Sequence, residues 1–181
     1  MIASVDVSNI RIETERLILR PWRESDLEDF YAYASVPGVG EMAGWKHHTS
    51  MDESKAILDM FIREKKTFAL ELKGNGKVIG SLGLEERDFQ EKDKQGREIG
   101  YVLSKEFWGM GLMPEAVHAV IDYCFCSLQW DYLTCCHFLH NSQSRRVIEK
   151  CGFVYFADSR FETSYNTVEI SRSYVLYNPS K

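Results

Sequence analysis

The stretch Phe107-Trp108-Gly109-Met110-Gly111-Leu112-Met113-Pro114-Glu115-Ala116 joins a strand-like run, Glu98–Leu103, to a helical run that starts near Pro114. Two glycines spaced G-x-G lie between them, and a proline suits the first helical turn, where its missing N–H costs nothing. Glycine lets the backbone turn sharply and lets a ligand approach with no Cβ in the way. The first free N–H groups of the helix, together with its dipole, would then attract an anion. The chemistry this arrangement suits is the seating of a phosphate or pyrophosphate. Glycines in such turns also serve packing alone, and this loop by itself does not separate the two readings.

The flanking elements must hold that loop in place. Residues 1–11 read as a tail or short irregular start, and Arg16–Trp22 as a first strand stopped at Pro21. Glu24-Ser25-Asp26 caps a helix with Leu27, Phe30, Tyr31 and Ala34 on one face. Pro37–Trp45 is a glycine-containing loop, and Ser50-Met51-Asp52-Glu53 is a capping-box pattern. It opens a helix with Ala56, Ile57, Met60 and Phe61 at core spacing. Thr67–Leu72 and Lys77–Leu84 read as a hairpin around Gly74-Asn75-Gly76. Asp88–Gly96 reads as a charged turn before the strand Glu98–Leu103. After the glycine loop comes a helix burying Ala116, Val117, Val120, Ile121, Cys124 and Phe125. Tyr132–Leu139 is a strand, Asn141–Cys151 a helix ended by Gly152, and Phe153–Phe161 with Val168–Tyr177 a closing antiparallel pair. Hairpins mixed with helical crossovers make this an α+β sheet rather than a doubly wound one. No G-K-[ST] follows a glycine loop, which argues against a P-loop.

At 181 residues the chain is long enough for one domain with a substantial core. A net charge of −5 disfavours nucleic acid as the main partner, and the basic clusters Arg63–Lys66 and Arg145–Arg146 are too short to reverse that. There is no apolar run of transmembrane length and no signal-peptide core, so no membrane partner and a cytoplasmic location are expected. The cysteines Cys124, Cys126, Cys135, Cys136 and Cys151 are odd in number and show no C-x-x-C spacing. Buried reduced thiols are the expectation, with no metal.

A second motif is Asn141-Ser142-Gln143-Ser144-Arg145-Arg146-Val147-Ile148-Glu149-Lys150-Cys151-Gly152-Phe153. Together with Ile99-Gly100-Tyr101-Val102-Leu103 and the glycine loop, it resembles the GNAT superfamily of acyl-CoA-dependent N-acetyltransferases. The closer resemblance is to the RimJ/RimL-like branch, whose usual opening is matched by Thr14-Glu15-Arg16-Leu17-Ile18-Leu19-Arg20-Pro21 and whose central hairpin is matched by Val78-Ile79-Gly80. The resemblance spans roughly residues 12–177 and implies a GNAT fold: a mixed, mostly antiparallel sheet of about seven strands and about four helices. The sheet would splay between its fourth and fifth strands, Glu98–Leu103 and Tyr132–Leu139. A tail of 1–11 and one domain over 12–181 follow.

The resemblance also implies a site. Acetyl-CoA would set its pyrophosphate on the loop around Trp108, Gly109, Met110, Gly111, Leu112 and Met113. Its pantetheine would run along Tyr101, Val102 and Leu103 almost as an added strand. Asn141 would bond a pantetheine amide, although it equally suits an N-cap. A backbone N–H near Val102 or Leu103 would hold the oxyanion. Two departures stand out: Met110 where the family often has Lys or Arg, and Ile148 where many members carry a tyrosine for the leaving thiolate. Met113 also replaces a smaller residue. Ser144, on the face of Asn141 and Ile148, is the candidate that assists the thiolate. Glu98 is the first candidate base and His48 the second. Tyr33, Glu41 and Trp45 are expected to line the acceptor pocket, and one of Glu85 and Glu86 to point toward it.

The reading is a single-domain N-acetyltransferase moving acetyl from acetyl-CoA to a primary amine by direct attack, since no cysteine or serine sits in a nucleophile–base pair. The acceptor is either a protein N-terminus, such as that of a ribosomal protein, or a small amine; a homodimer is left open. The rival is a non-catalytic acyl-CoA-binding module of the same fold, motivated by Ile148 and Met110. A third reading is an α+β interaction domain without a cosubstrate.

Overall fold

A computed structural model describes residues 1–87, 89–91 and 93–181. The charged turn expected over Asp88–Gly96 includes Asp88 and Lys92, which lie outside the described residues. The strands are β1 (Ile12–Glu13), β2 (Leu17–Pro21), β3 (Thr67–Leu72), β4 (Val78–Glu85), β5 (Gly96–Leu103), β6 (Tyr132–Phe138), β7 (Val154–Glu162) and β8 (Val168–Tyr177). The helices are α1 (Leu27–Ala34), α2 (Met51–Glu64), α3 (Leu112–Asp122) and α4 (Ser142–Lys150). The strands form one sheet in the order β1-β2-β3-β4-β5-β6-β8-β7. Beyond the expected strands the sheet gains the short β1, paired to β2 through Ile12↔Leu19 and Glu13↔Ile18.

Neighbours pair antiparallel except β5 and β6, which run parallel from Gly96↔Tyr132 to Ile99↔Cys135. There the pairing stops. Gly100–Leu103 continue along β4 on one side and have no strand on the other. This is the splay, and it is the opening around which the site is built.

Alternation of side chains across the sheet makes two cores. Leu17, Leu19, Phe68, Leu70, Ile79, Leu82, Ile99 and Leu133 turn to the face covered by Val117, Val120 and Ile148 of α3 and α4. Ala69 and Val78 turn to the opposite face, under Phe30 of α1 and Leu58 of α2. Seven consecutive residues of β4 are therefore buried, as a strand covered on both faces requires. Arg20, at the end of β2, is buried and gripped by both Asp26 carboxylate oxygens at 2.8 Å, with Glu71 of β3 on its Nε. This cluster fixes the start of α1 against the sheet.

Local signals explain the element ends. Ser50 Oγ accepts the Glu53 N–H at 3.2 Å at the start of α2, while the Glu53 carboxylate accepts the Thr49 N–H at 2.9 Å. At the end of α4 the Gly152 and Phe153 N–H groups bond back to Glu149 and Ile148, with Gly152 at φ +83°. Residues 1–11, expected as a tail, are docked: Ala3 and Val7 are buried, and the Val7 N–H donates to Lys65 at 2.8 Å. Of the five cysteines expected to be buried, Cys126 is exposed, because it sits on the outer side of the turn following α3. No helix among the described residues is long and apolar enough to cross a membrane.

Candidate functional site

A cleft of about 480 Å³ runs from the glycine loop, past the unpaired end of β5, to the opposite face of the sheet. At the loop, Gly109 and Gly111 have φ of +79° and +77°, the left-handed region that favours glycine. A Cβ on Gly109 would meet nothing within 4 Å, and one on Gly111 would meet only Arg16 Nη2, at 3.5 Å. Close packing is therefore not why these glycines are here. The turn requires them, and the space beside Gly109 is open.

α3 starts at Leu112, with Gly111 as N-cap and no side chain capping its first N–H groups. Pro114 is its third residue rather than its first, still within the turn whose N–H groups have no partner inside the helix. Leu112 and Met113 line the cleft and offer theirs to an anion. Arg16 latches the loop from below: its Nη1 donates to the Met110 carbonyl at 2.9 Å and its Nε to Glu115 at 2.7 Å. Thr14 and the Arg16 N–H bond the same carboxylate. Burial alone would raise the Glu115 carboxyl, but these partners hold it below its ordinary range. Met110 is uncharged, exposed and outside the cleft lining. Arg146 and Lys150 of α4 do line it. Both were missed as site residues in the sequence; the spacing Gln143, Arg146, Lys150 along one helical face was the available signal.

Along β5, the Ser104 N–H bonds Ile79 O at 2.7 Å, so alternate residues, Val102 and Gly100, also face β4. Tyr101 and Leu103 turn their backbone groups into the splay. Of the two positions named for an oxyanion donor, Leu103 therefore has its N–H toward the cleft and Val102 does not. The Leu103 carbonyl is occupied by the Trp108 indole N–H at 2.8 Å, which ties the loop to the strand.

Asn141 caps α4, its Oδ1 accepting the Ser144 N–H at 3.0 Å, and its Nδ2 donates to Met42 O at 3.3 Å. Both ends of the amide are engaged. Ser144 Oγ lies 2.8 Å from the Tyr101 hydroxyl, and both residues line the cleft. Burial pushes the Tyr101 phenol well above its usual range, so it stays protonated. Ile148 is buried in the core under α4. A phenol thus reaches the α4 face after all, but from β5.

At the far end of the cleft lie Glu98 and Glu85, cross-strand partners on one face. Glu98 meets Arg87 Nη1 at 2.9 Å and Cys136 Sγ at 3.8 Å; burial raises its carboxyl, with Arg87 opposing. Glu85 pairs with Lys66 at 2.7 Å, whereas Glu86 points away to Arg97. His48, in the α1–α2 loop, is buried with Nδ1 at 2.7 Å from Ser54 Oγ, and burial lowers its pKa, keeping the ring neutral. His48 and Trp45 line a second cavity next to the cleft. The Trp45 indole fits because Gly40 has no Cβ; one there would come within 2.3 Å of the ring.

Two expected acceptor residues sit elsewhere. Tyr33 is sealed in the α1 core against Phe30 and lines neither cavity. Glu41 is a clamp for its own loop, accepting from the Gly38 N–H at 2.8 Å and meeting His47 Nδ1 at 2.8 Å. Burial works against its ionisation, yet these bonds bring its carboxyl down to about 2.

Residues 16–154 match the family model described as an acetyltransferase (GNAT) domain. The uncharacterized N-acetyltransferase YoaA of Bacillus subtilis (strain 168) is 28% identical over 147 residues, covering 78% of this chain and 81% of that protein. Among solved structures, a GNAT-family acetyltransferase from Bacillus anthracis superposes with a TM-score of 0.81 at 20% identity, covering 93% of this chain and 99% of that one. The ribosomal-protein-S5-alanine acetyltransferase from Vibrio fischeri gives 0.73 at 20% identity, covering 94% and 98%. With the family model spanning most of its length, the chain belongs to the GNAT acetyltransferases, a family of acyltransferases that use acetyl-CoA.

Proposed function

We propose that this protein moves the acetyl group of acetyl-CoA to a primary amine by direct attack within a ternary complex, in one domain whose core also takes in Ala3 and Val7 of the docked residues 1–11. The observation that carries this is the cleft itself. It links an uncapped, glycine-lined helix start to a pair of carboxylates on the opposite face of the sheet through the β5–β6 gap.

In this reading the loop N–H groups at Gly109–Met113 hold the pyrophosphate, and Arg146 and Lys150 supply the positive charge that Met110 lacks. Backbone groups of Tyr101 and Leu103 hold the pantetheine. The Leu103 N–H faces the thioester carbonyl and stabilises the oxyanion as the amine nitrogen bonds to carbon. Glu98, directly or through water, takes the proton the ammonium must lose; His48 is the second candidate, reached from the adjoining cavity. As the C–S bond breaks, the Ser144 hydroxyl donates to the departing sulfur, and Tyr101 donates to Ser144 behind it. The tyrosine missing at Ile148 is thereby replaced in function by a serine–tyrosine pair. The acceptors in view are protein N-termini, in line with the ribosomal-protein enzyme among the structural neighbours and the RimJ/RimL-like motifs, and small amines.

Free-thiol release from acetyl-CoA across N-terminal peptides and small amines tests this. Amine-dependent release is expected. A rise in melting temperature with CoA but no release across the panel would favour the non-catalytic acyl-CoA-binding module. Neither effect would remove the cosubstrate assignment.

A further inference from the structure

Next to the donor cleft lies a second cavity of about 330 Å³, on the face of the sheet covered by α1 and α2. Its walls are Phe30, Trp45, Ile57, Met60 and Phe61, and it shares Ala43, Glu85 and Gly100–Val102 with the cleft. The two spaces therefore meet at the segment of β5 where the thioester would lie. Resting on the acetyl-transfer reading, we infer that this cavity takes the body of the acceptor, and that the acceptor is a primary monoamine with a ring-bearing, otherwise apolar body and one neutral hydrogen-bonding group.

Charge sets the class. Among the described residues, the one acidic side chain lining this cavity is Glu85, at its junction with the cleft and already beside Lys66 at 2.7 Å. Gly83 and Gly100 face each other across β4 and β5 and leave room for that side chain, since a Cβ on Gly83 would lie 2.6 Å from Glu85 Oε1. One ammonium can be received there. A polyamine would bring further cations into a wall of aromatic and aliphatic groups, where an unpaired charge is costly. Among the described residues no lysine or arginine lines the cavity, so an amino acid carboxylate or a phosphate would also lie unpaired.

Two polar groups mark where the neutral group belongs. Thr67 is 4% exposed, lines the cavity, and its Oγ1 has no hydrogen-bond partner. Buried hydroxyls are normally paired, so an orphan facing a cavity points to a ligand atom. His48, neutral and with Nδ1 engaged by Ser54, has Nε2 to offer. A peptide chain would bring an N–H and a C=O per residue, each needing a partner that an apolar wall does not supply. The volume corresponds to about ten groups at the ~30 Å³ share of a water molecule, the size of a substituted arylalkyl body.

The test titrates CoA-saturated protein with 2-phenylethylamine, tyramine, spermidine and an alanine-initiated hexapeptide, and measures thiol release with the same four in acetyl-CoA. Tyramine should bind at least tenfold tighter than spermidine or the peptide. Thr67→Val should remove most of the tyramine advantage over 2-phenylethylamine. Met60→Trp, which fills the cavity from α2, should weaken both arylalkylamines at least tenfold and leave the CoA-induced thermal shift unchanged. Preference for spermidine or for the peptide, or a Met60→Trp variant that binds tyramine normally, would overturn the inference. Thiol release with the peptide alone would do so while leaving acetyl transfer intact. Tight tyramine binding with no release from any acceptor would instead uphold the cavity and remove the transfer reading.

Discussion

Replacing Gly109 by alanine separates a glycine kept for the turn from a glycine kept for a ligand. Its φ of +79° is strained for an L-residue, at roughly 1–2 kcal/mol. Nothing lies within 4 Å of the added Cβ, so no clash adds to that cost. For a chain of this size, 1 kcal/mol corresponds to about 2–4 °C in Tm, so the free protein should melt only a few degrees lower. Binding adds a second effect. To the extent that the free loop escapes the strain by shifting, the Tm drop shrinks and the cost moves to binding, since CoA must restore the left-handed turn; the full 1–2 kcal/mol would weaken Kd by roughly five- to thirtyfold. The added methyl also occupies the open side from which a pyrophosphate would approach. Calorimetric titration of CoA, alongside a thermal melt, reads both quantities. An unchanged Kd with the expected drop in Tm would refute the argument that this loop is an anion seat.

Three further outcomes follow from the same geometry. Ser144→Ala and Tyr101→Phe should each lower turnover by about 10² or more, as loss of an acid–base group does, with acetyl-CoA affinity nearly intact. Because the hydroxyls act as a pair, the double variant should be little slower than either single one in steady-state kinetics. The rate profile kcat/KM against pH should show an acid limb above the ~4.3 of an ordinary glutamate, since burial raises Glu98 and only its ionised form accepts a proton; Glu98→Gln should remove that limb. Trp108→Phe should cost about 1 kcal/mol by leaving the Leu103 carbonyl without its indole donor, seen as a Tm about 2–4 °C lower.

What could be read in the sequence was what the backbone decides locally. The left-handed glycines at 109 and 111, the Ser50 cap, the turn at Gly74–Gly76 and the Gly152 helix stop each follow from one residue's conformational preference, and each is present. The splay was legible through motifs in sequence order, whereas the insertion of β8 between β6 and β7 was not. Contacts between residues far apart in the chain were not. Nothing local marks Arg16 as the latch of a loop 94 residues away, or places the Tyr101 phenol on Ser144. Tyr33 was misplaced because α1 buries that face fully, and Glu41 because its carboxylate is consumed by its own loop. The docking of residues 1–11 was equally hidden, since Ala3 and Val7 carry no periodic signal. Arg146 and Lys150 were overlooked because charged helix residues usually face solvent, as these do, and only the position of α4 puts the two exposed side chains at the edge of the cleft.

The most direct test of the central claim, that acetyl-CoA lies across the β5–β6 gap with its pyrophosphate on the glycine loop, is amide hydrogen exchange during a CoA titration. Tyr101–Leu103 and Gly109–Met113 should become protected together, with one Kd, while β7 and β8 do not change. Saturable CoA binding that leaves both segments exchanging as in the free protein would contradict it.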